Sequence, residues 1–279
     1  MDSSDASDEY SRLLFHTPSH HGSTPMSDEV LLHEADGILT ITINRPAAKN
    51  AVNLAVATGI AAAIDRLDAS PALRVGILTG AGSAFCSGMD LKAFLTGEMP
   101  MLPGRGFGGL VEAPPQKPLI AAIEGYALAG GLELMLACDL AVAGENARFG
   151  IPEAKRGLVA AAGGLVRLPR MVPYRLALEL ALTGEMIPAS RAYELGLLNR
   201  IVPAGEALEG ALALARSIVA NGPLAVATSK RVMRDSAGWS DAEIWPKQNA
   251  ATAAIFESED AREGAAAFAE KRAPLWKGR

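Results

Sequence analysis

From Val30 onward the apolar and polar positions fall into blocks whose period changes along the chain. In "VLLHEADGILTITINRP", Leu39, Ile41 and Ile43 alternate with Thr40 and Thr42, a break falls at Ala-Asp-Gly, and Pro46 closes the stretch. That is the pattern of a β-hairpin. Leu54, Thr58, Ile60, Ala61 and Ile64 then recur at helical spacing, and "RVGILTG" (74–80) is a short buried strand ending at glycine. Two further strands, "PLIAAIEG" (118–125) and "DLAVA" (139–143), flank a segment about as long as a three-turn helix. Beyond Pro173 the periodicity is nearly all helical, over 174–182, 189–195, 206–220, 224–235, 241–258 and 260–271. An α/β body followed by a helical region is expected, with a core over 26–215 and a C-terminal helical, oligomer-forming region over 216–279.

Residues 1–25 break the pattern. They are rich in Ser, Asp, His and Pro, lack a hydrophobic run, and precede a second methionine, Met26. A disordered tail is expected there, left from cloning or read from an upstream start.

Composition narrows the setting. With 279 residues, 49% of them hydrophobic, the chain can bury a large core. The balance of 26 Lys+Arg against 31 Asp+Glu gives a net charge of -5, which offers no basic field for nucleic acid or an anionic membrane. Cys86 and Cys138 each lie in apolar runs, so two reduced core thiols in a cytoplasmic protein are expected rather than a disulfide framework. Glu124, Glu133 and Asp139 interrupt the longest apolar run, so none reaches the ~18 to 20 residues of a spanning helix.

The candidate chemistry is a matter of elimination followed by position. His16, His20, His21 and His33 lie in the tail or on the first strand, which excludes a Ser-His-Asp triad or a histidine zinc site in the core. "GRGFGG" (104–109) spells a dinucleotide fingerprint, yet it follows "GEMPMLP" rather than a strand, so a mobile loop is expected. Two glycine turns remain. In "GAGSAFCSGMDLKAF" (80–94), Ser87-Gly88-Met89 makes a tight turn after a strand, and Asp90 is placed to cap a helix from Leu91. In "YALAGGLELML", Gly130-Gly131 opens a helical pattern, so the Gly130 N–H sits where unsatisfied donors and the macrodipole favour a developing negative charge. Two convergent donors form an oxyanion hole. Glu133, three residues after Gly130, shares its helix face. Burying a lone carboxylate costs several kcal/mol, so Glu133 has either a structural partner or a chemical task.

Taken in order, "NRPAAKNAV", "FCSGMDL", "GYALAGGLELMLACD" and "FGIPEAKRGL" resemble the successive signatures of the enoyl-CoA hydratase/isomerase family, the crotonases, and the likeness runs from about Val30 to the C-terminus. The resemblance implies a spiral of repeated ββα units with C-terminal helices, a homotrimer or dimer of trimers, and coenzyme A thioester substrates with no separate cofactor. Matched position by position, the N–H groups of Met89 and Gly130 correspond to the oxyanion hole, and Glu133 and Glu153 to the acid/base carboxylates of hydratases. Ala47, Ala48, Asn50, Ser87, Gly88, Asp90, Leu91, Tyr126 and Gly131 fall on the coenzyme A and acyl site. Phe268, on the last amphipathic helix, either covers the ligand or packs into the core, and Lys271 either reaches a phosphate, from a neighbouring subunit, or is an ordinary solvated side chain. Lys49 and Lys92 either reach phosphates or are ordinary solvated side chains. Two departures stand out: Ala160 and Ala161 occupy positions where many hydratases carry Pro-Gly, and Met89 stands where Ala is common. Having both acids favours hydratase over isomerase and argues against a non-catalytic acyl-CoA binder, while isomerase, dehalogenase and decarboxylase branches stay open. Asp90 and Asp139, at element boundaries, are expected to be structural caps.

Overall fold

The Asp36-Gly37 turn starts the sheet. In this computed structural model, which describes residues 28–279, both turn residues have positive φ, 51° and 78°, the backbone of a tight two-residue hairpin whose twist matches its strands. β1 (Val30–Ala35) and β2 (Ile38–Ile43) pair antiparallel, with Ala35 opposite Ile38 and Val30 opposite Ile43. The expected tail over 1–25, and Met26, lie outside the described residues.

α1 (Leu54–Ala69) is capped by the Asn53 side chain, which accepts the Val56 N–H. It buries Val56, Ala57, Ile60, Ile64 and Leu67, while Leu54 and Thr58 of the expected stripe face outward. β3 (Val75–Gly80) lies parallel to β2, and α2 (Leu91–Leu95) leads to a small hairpin of β4 (Met101–Leu102) and β5 (Gly106–Phe107). The 104–109 glycine run is therefore not the mobile loop expected from its composition, because Gly106 to Gly109 are buried and Phe107 packs into the main core. β6 (Leu119–Ile123), β7 (Tyr126–Leu128), α3 (Gly130–Ala137), β8 (Leu140–Gly144) and β9 (Arg148–Gly150) follow. The segment between the two apolar strands is thus divided. β7 precedes a helix of 8 residues, shorter than expected, because Gly125, at φ 58°, turns the chain before it.

The second half comprises α4 (Gly164–Met171), α5 (Tyr174–Thr183), β10 (Ile187–Pro188), α6 (Ala189–Glu194), β11 (Arg200–Val202), α7 (Ala207–Val219), α8 (Pro223–Ser236), α9 (Asp241–Glu257) and α10 (Glu259–Glu270). Each helix expected beyond Pro173 is present. β11, of only 3 residues, is too short to show a period, yet it pairs parallel with β8 and completes the main sheet in the order β1-β2-β3-β6-β8-β11. A second small sheet runs β10-β9-β7.

Both faces of the main sheet are covered. Leu39, Ile41, Leu78, Ala121 and Ile123 enter the main core with α1 and α3, while Ile38, Ile77, Ile120 and Val142 meet Ala211 and Ala215 of α7. Strands buried on both faces read as continuous apolar runs. For the same reason Thr40, which its alternation marks as outward-facing, is buried on the Ile38 face. An α/β body followed by helices is the architecture the resemblance implies.

The C-terminal helices hold on through polar contacts at their ends. Lys230 Nζ on α8 donates to the Lys117 carbonyl at 2.8 Å and to Asp139 Oδ2 at 2.6 Å, and that carboxylate also accepts the Leu119 N–H. Asp139 is therefore structural, though it ties a strand to a helix rather than capping one. Trp276 Nε1 donates to the Ala220 carbonyl at 2.8 Å. Buried Asp260 accepts the N–H groups of Lys277 and Gly278 at 2.6 and 2.9 Å, folding the last residues onto α10. Asp260→Ala strands those two amides, so it should destabilise the protein by ~1 to 3 kcal/mol in a urea melt and speed proteolysis within 272–279. An unchanged melt and cleavage pattern would show that the remaining contacts, Trp276 on Ala220 and the ion pairs of Lys277 and Arg279 with Glu259, hold the segment without it.

Candidate active site

Two backbone segments come together where β3 and β7 end. Cys86 N–H donates to the Tyr126 carbonyl at 2.9 Å and Leu128 N–H to the Cys86 carbonyl at 3.1 Å, laying the 86–89 turn alongside β7. The contact is close enough to exclude side chains. A Cβ on Gly131 would sit 2.2 Å from the Cys86 carbonyl oxygen, and one on Gly88, at φ 104°, would sit 2.9 Å from Ala129 Cβ and 3.2 Å from Gly130 N. Gly130 itself lies against the Phe107 ring, 2.5 Å from where its Cβ would be.

That approach fixes two amides. Val52 N–H donates to the Gly88 carbonyl at 2.8 Å and Asp90 N–H to the Val52 carbonyl at 2.9 Å. In such a parallel bridge Val52 engages residues 88 and 90, so the N–H of Met89 points away from it. Gly130 is the first residue of α3 and has a first-turn N–H with no intrahelical partner. Among the described residues neither amide has an acceptor. Ala129, just before, is held at φ 51° and ψ −127°, with its own N–H bonded to the Gly150 carbonyl at 2.9 Å. A non-glycine residue in that region is strained, and strain of this kind collects where a backbone group must be aimed.

Glu133 projects from the same helix and is only 3% exposed. Its Oε1 accepts the Gly164 N–H at 2.8 Å, at the start of α4. Burial pushes its pKa up to about 7; the Gly164 bond opposes the rise, and the charge of nearby Glu153 adds to it. Glu153, in the 3₁₀ turn Pro152–Arg156, is 9% exposed, and burial raises its pKa as well. Its Oε2 is buried with no hydrogen-bond partner. Two buried carboxyl groups whose charges interact do not both stay ionised cheaply.

The other candidates lie around this centre with unequal roles. Ser87 N–H donates to the Lys49 carbonyl at 3.1 Å, which joins Ala47, Ala48 and Lys49 to Gly88, Met89 and Leu91 as one rim. Asn50, also on that rim, has a fully buried side chain bonded to the Arg45 N–H and the Ala81 and Ala84 carbonyls, and its own N–H donates to the Arg45 carbonyl at 2.9 Å, so only its backbone carbonyl is left for a ligand. Asp90 caps α2 through the N–H groups of Lys92 and Ala93 and pairs with Arg45 at 2.9 Å. Although burial opposes it, the Arg45 guanidinium and these caps hold its carboxyl below the usual range. Tyr126 is exposed on β7, and Lys49 and Lys92 are exposed at the rim. Phe268 and Lys271 are exposed at the end of α10, which packs mainly on α9, so within one subunit they do not join the rest.

Several participants carry no signature of their own. Arg45, Phe107, Gly164 and Arg167 act through contacts distant in sequence, and only the Gly163-Gly164 pair is visible as a turn signal. Cys86 lies in the turn itself, where burial pushes its thiol up to about 12 despite a bond from the Gly88 N–H.

The family model described as enoyl-CoA hydratase/isomerase matches residues 33–279. The chain is 44% identical over 262 residues to an enoyl-CoA hydratase of Mycobacterium tuberculosis, covering 90% of this chain and 97% of that protein. To a carnitinyl-CoA dehydratase of Salmonella typhi it is 42% identical over 263 residues, covering 91% of this chain and 100% of that one. The crystal structure of an enoyl-CoA hydratase from Mycobacterium marinum matches with a TM-score of 0.89 at 58% identity, covering 91% of this chain and 100% of that chain.

The raised pKa of Glu133 has a thermodynamic consequence. A carboxyl group that holds its proton more tightly when folded contributes fully below its unfolded pKa of 4.5, and that contribution is lost as pH rises to about 7. Glu133→Gln carries no such penalty. It should therefore be more stable than the parent at pH 8, by ~1 to 3 kcal/mol, with the difference shrinking on acidification toward pH 4.5. Denaturant melts across that range check this, and a pH-independent difference would mean that Glu133 ionises freely.

Proposed function

The chain belongs to the enoyl-CoA hydratase/isomerase family, and from that premise we propose that it adds water across the 2,3 double bond of a 2-enoyl-CoA thioester, using the amides of Met89 and Gly130 and the carboxyl groups of Glu133 and Glu153. Run backward, the same steps eliminate water from a 3-hydroxyacyl-CoA. The observation that carries the reading is Glu153 Oε2, a buried carboxylate oxygen with no partner beside a second buried carboxyl group. A purely structural acid would have satisfied that atom.

The chemistry follows from those groups. As the oxygen of water bonds to C3, one carboxylate takes a proton from it, and the electron pair of the double bond moves through C2 onto the thioester oxygen. The two N–H donors stabilise the resulting enolate by ~3 to 4 kcal/mol each. The other carboxyl group delivers its proton to C2 and completes the 3-hydroxyacyl product. Each transfer accounts for ~10² to 10⁴ in rate. Hydration moves no net electrons, so the reaction needs no redox cofactor, and coenzyme A enters only as part of the substrate.

The rim formed by Ala47, Ala48, Asn50, Ser87, Gly88 and Leu91 would hold the coenzyme A arm through backbone groups, with Asp90, Tyr126 and Gly131 shaping its edge. Phe268 and Lys271 would reach it from a neighbouring copy in a trimer or dimer of trimers. What supports assembly is that α8 and α9 have no fully buried residue and that Trp245, Phe256 and Phe268 are 66%, 79% and 87% exposed. Both cysteines are free thiols, which suits a cytoplasmic setting.

Short, medium and long 2-enoyl-CoAs, followed by loss of conjugated absorbance and product mass, test the reaction directly. Glu133→Gln and Glu153→Gln should each lower kcat by ~10² or more with the fold intact, because the amide is isosteric but takes no proton. Hydration near the parent rate by either variant would remove that residue from the mechanism.

A further inference from the structure

One charged side chain behind the site is neither on the open surface nor assigned a part in the reaction. Arg167, half-buried on α4, donates from Nη2 to the Val111 carbonyl and from Nη1 to the Ala162 carbonyl at 3.5 Å. Each carbonyl belongs to a segment that touches the site. Val111 ends the buried run that includes Phe107, the ring packed on Gly130. Ala162 precedes Gly163-Gly164, the turn that presents the Gly164 N–H to Glu133. That turn closes directly on the guanidinium: Gly163 has φ 100°, and a Cβ there would sit 2.0 Å from Arg167 Nη1.

Electrostatics points the same way. Burial lowers the pKa of Arg167, and the negative charge of Glu133 opposes that. The charged groups acting on Glu133 are Glu153, from its 3₁₀ turn, and Arg167, from α4; the first favours the protonated form and the second the ionised form. Arg170 is the other cation acting on Arg167.

We infer that Arg167 is a positioning residue: it ties the wall beside Gly130 to the turn that holds Glu133, and it keeps a fixed positive charge near that carboxyl group. The inference rests on the reading of Glu133 as a proton-transfer group. A guanidinium spans two carbonyls with its planar fork and stays charged at any working pH, whereas a lysine ammonium supplies the charge without the fork. Geometry and field are therefore separable by substitution.

The test compares Arg167→Met, Arg167→Lys and Glu133→Gln by the pH dependence of kcat on a short 2-enoyl-CoA. Arg167→Met should lower kcat ~10-fold or more while KM stays within ~3-fold, since the wall and the acid shift but the coenzyme A rim does not. It should also move the limb set by Glu133 to higher pH, whichever protonation state the reaction uses, because a neighbouring positive charge is gone. Arg167→Lys should return the limb to its parent position but recover only part of kcat. If Arg167→Met does not fold, Arg167→Lys decides alone: a parent limb with reduced kcat and unchanged KM supports the inference, and full parent kcat overturns it. A limb that stays in place in Arg167→Met, with or without loss of rate, overturns it too, leaving a fold staple. An active Glu133→Gln would bring down the underlying reading instead, whereas an inactive Glu133→Gln beside a normal Arg167→Met would bring down this inference alone.

Discussion

The site depends on two stretches of backbone that approach without side chains between them. Residues 86–88 and 129–131 pack so closely that a Cβ at Gly88 or Gly131 would overlap neighbouring atoms. This contact aims the Met89 and Gly130 amides, seats α3, and thereby sets where Glu133 emerges. The surrounding structure holds it in place: β7 on one side, the Val52 bridge on another, and the Phe107 ring over Gly130. The strained backbone at Ala129 persists because all three over-determine it.

Around that contact the protein keeps charge out of water at some cost to stability. Glu133 and Glu153 are both buried, both titrate high, and one oxygen between them is unsatisfied. The Gly164 N–H relieves part of the burden, and Arg167 offsets more of it from a distance. By contrast, Asp90 pairs with Arg45 and accepts two backbone N–H groups, and Asp139 pairs with Lys230 and accepts the Leu119 N–H. Asp90 and Asp139 thus hold the fold through their partners, whereas Glu153 keeps one buried oxygen without one.

Much of this is legible in the sequence. The hairpin, the first three parallel strands and the helices beyond Pro173 follow from period and turn residues, and the turn at Gly88, the helix start at Gly130 and the inward Glu133 follow from position. β11 stayed hidden because its 3 residues show no period. The 104–109 run misled because its glycines suggest freedom, whereas here they let a hairpin bury Phe107. The buried role of the Asn50 side chain, unlike its place in the signature "NRPAAKNAV", and the role of Arg167 carry no local signal, since each depends on carbonyls 31 and 56 residues away.

The thiol of Cys86 has a further meaning in this setting. An enoyl thioester is an electrophile at C3, the same carbon that receives water, and a thiolate adds to such a carbon by conjugate addition. Cys86 sits in the turn that carries Met89, and Cys138 closes the helix that carries Glu133. Both are fully buried and pushed well above the ordinary thiol range, chiefly by burial. Kept protonated by burial, both are poor nucleophiles, so under the proposed reaction an enoyl thioester held at this turn would meet a thiol rather than a thiolate.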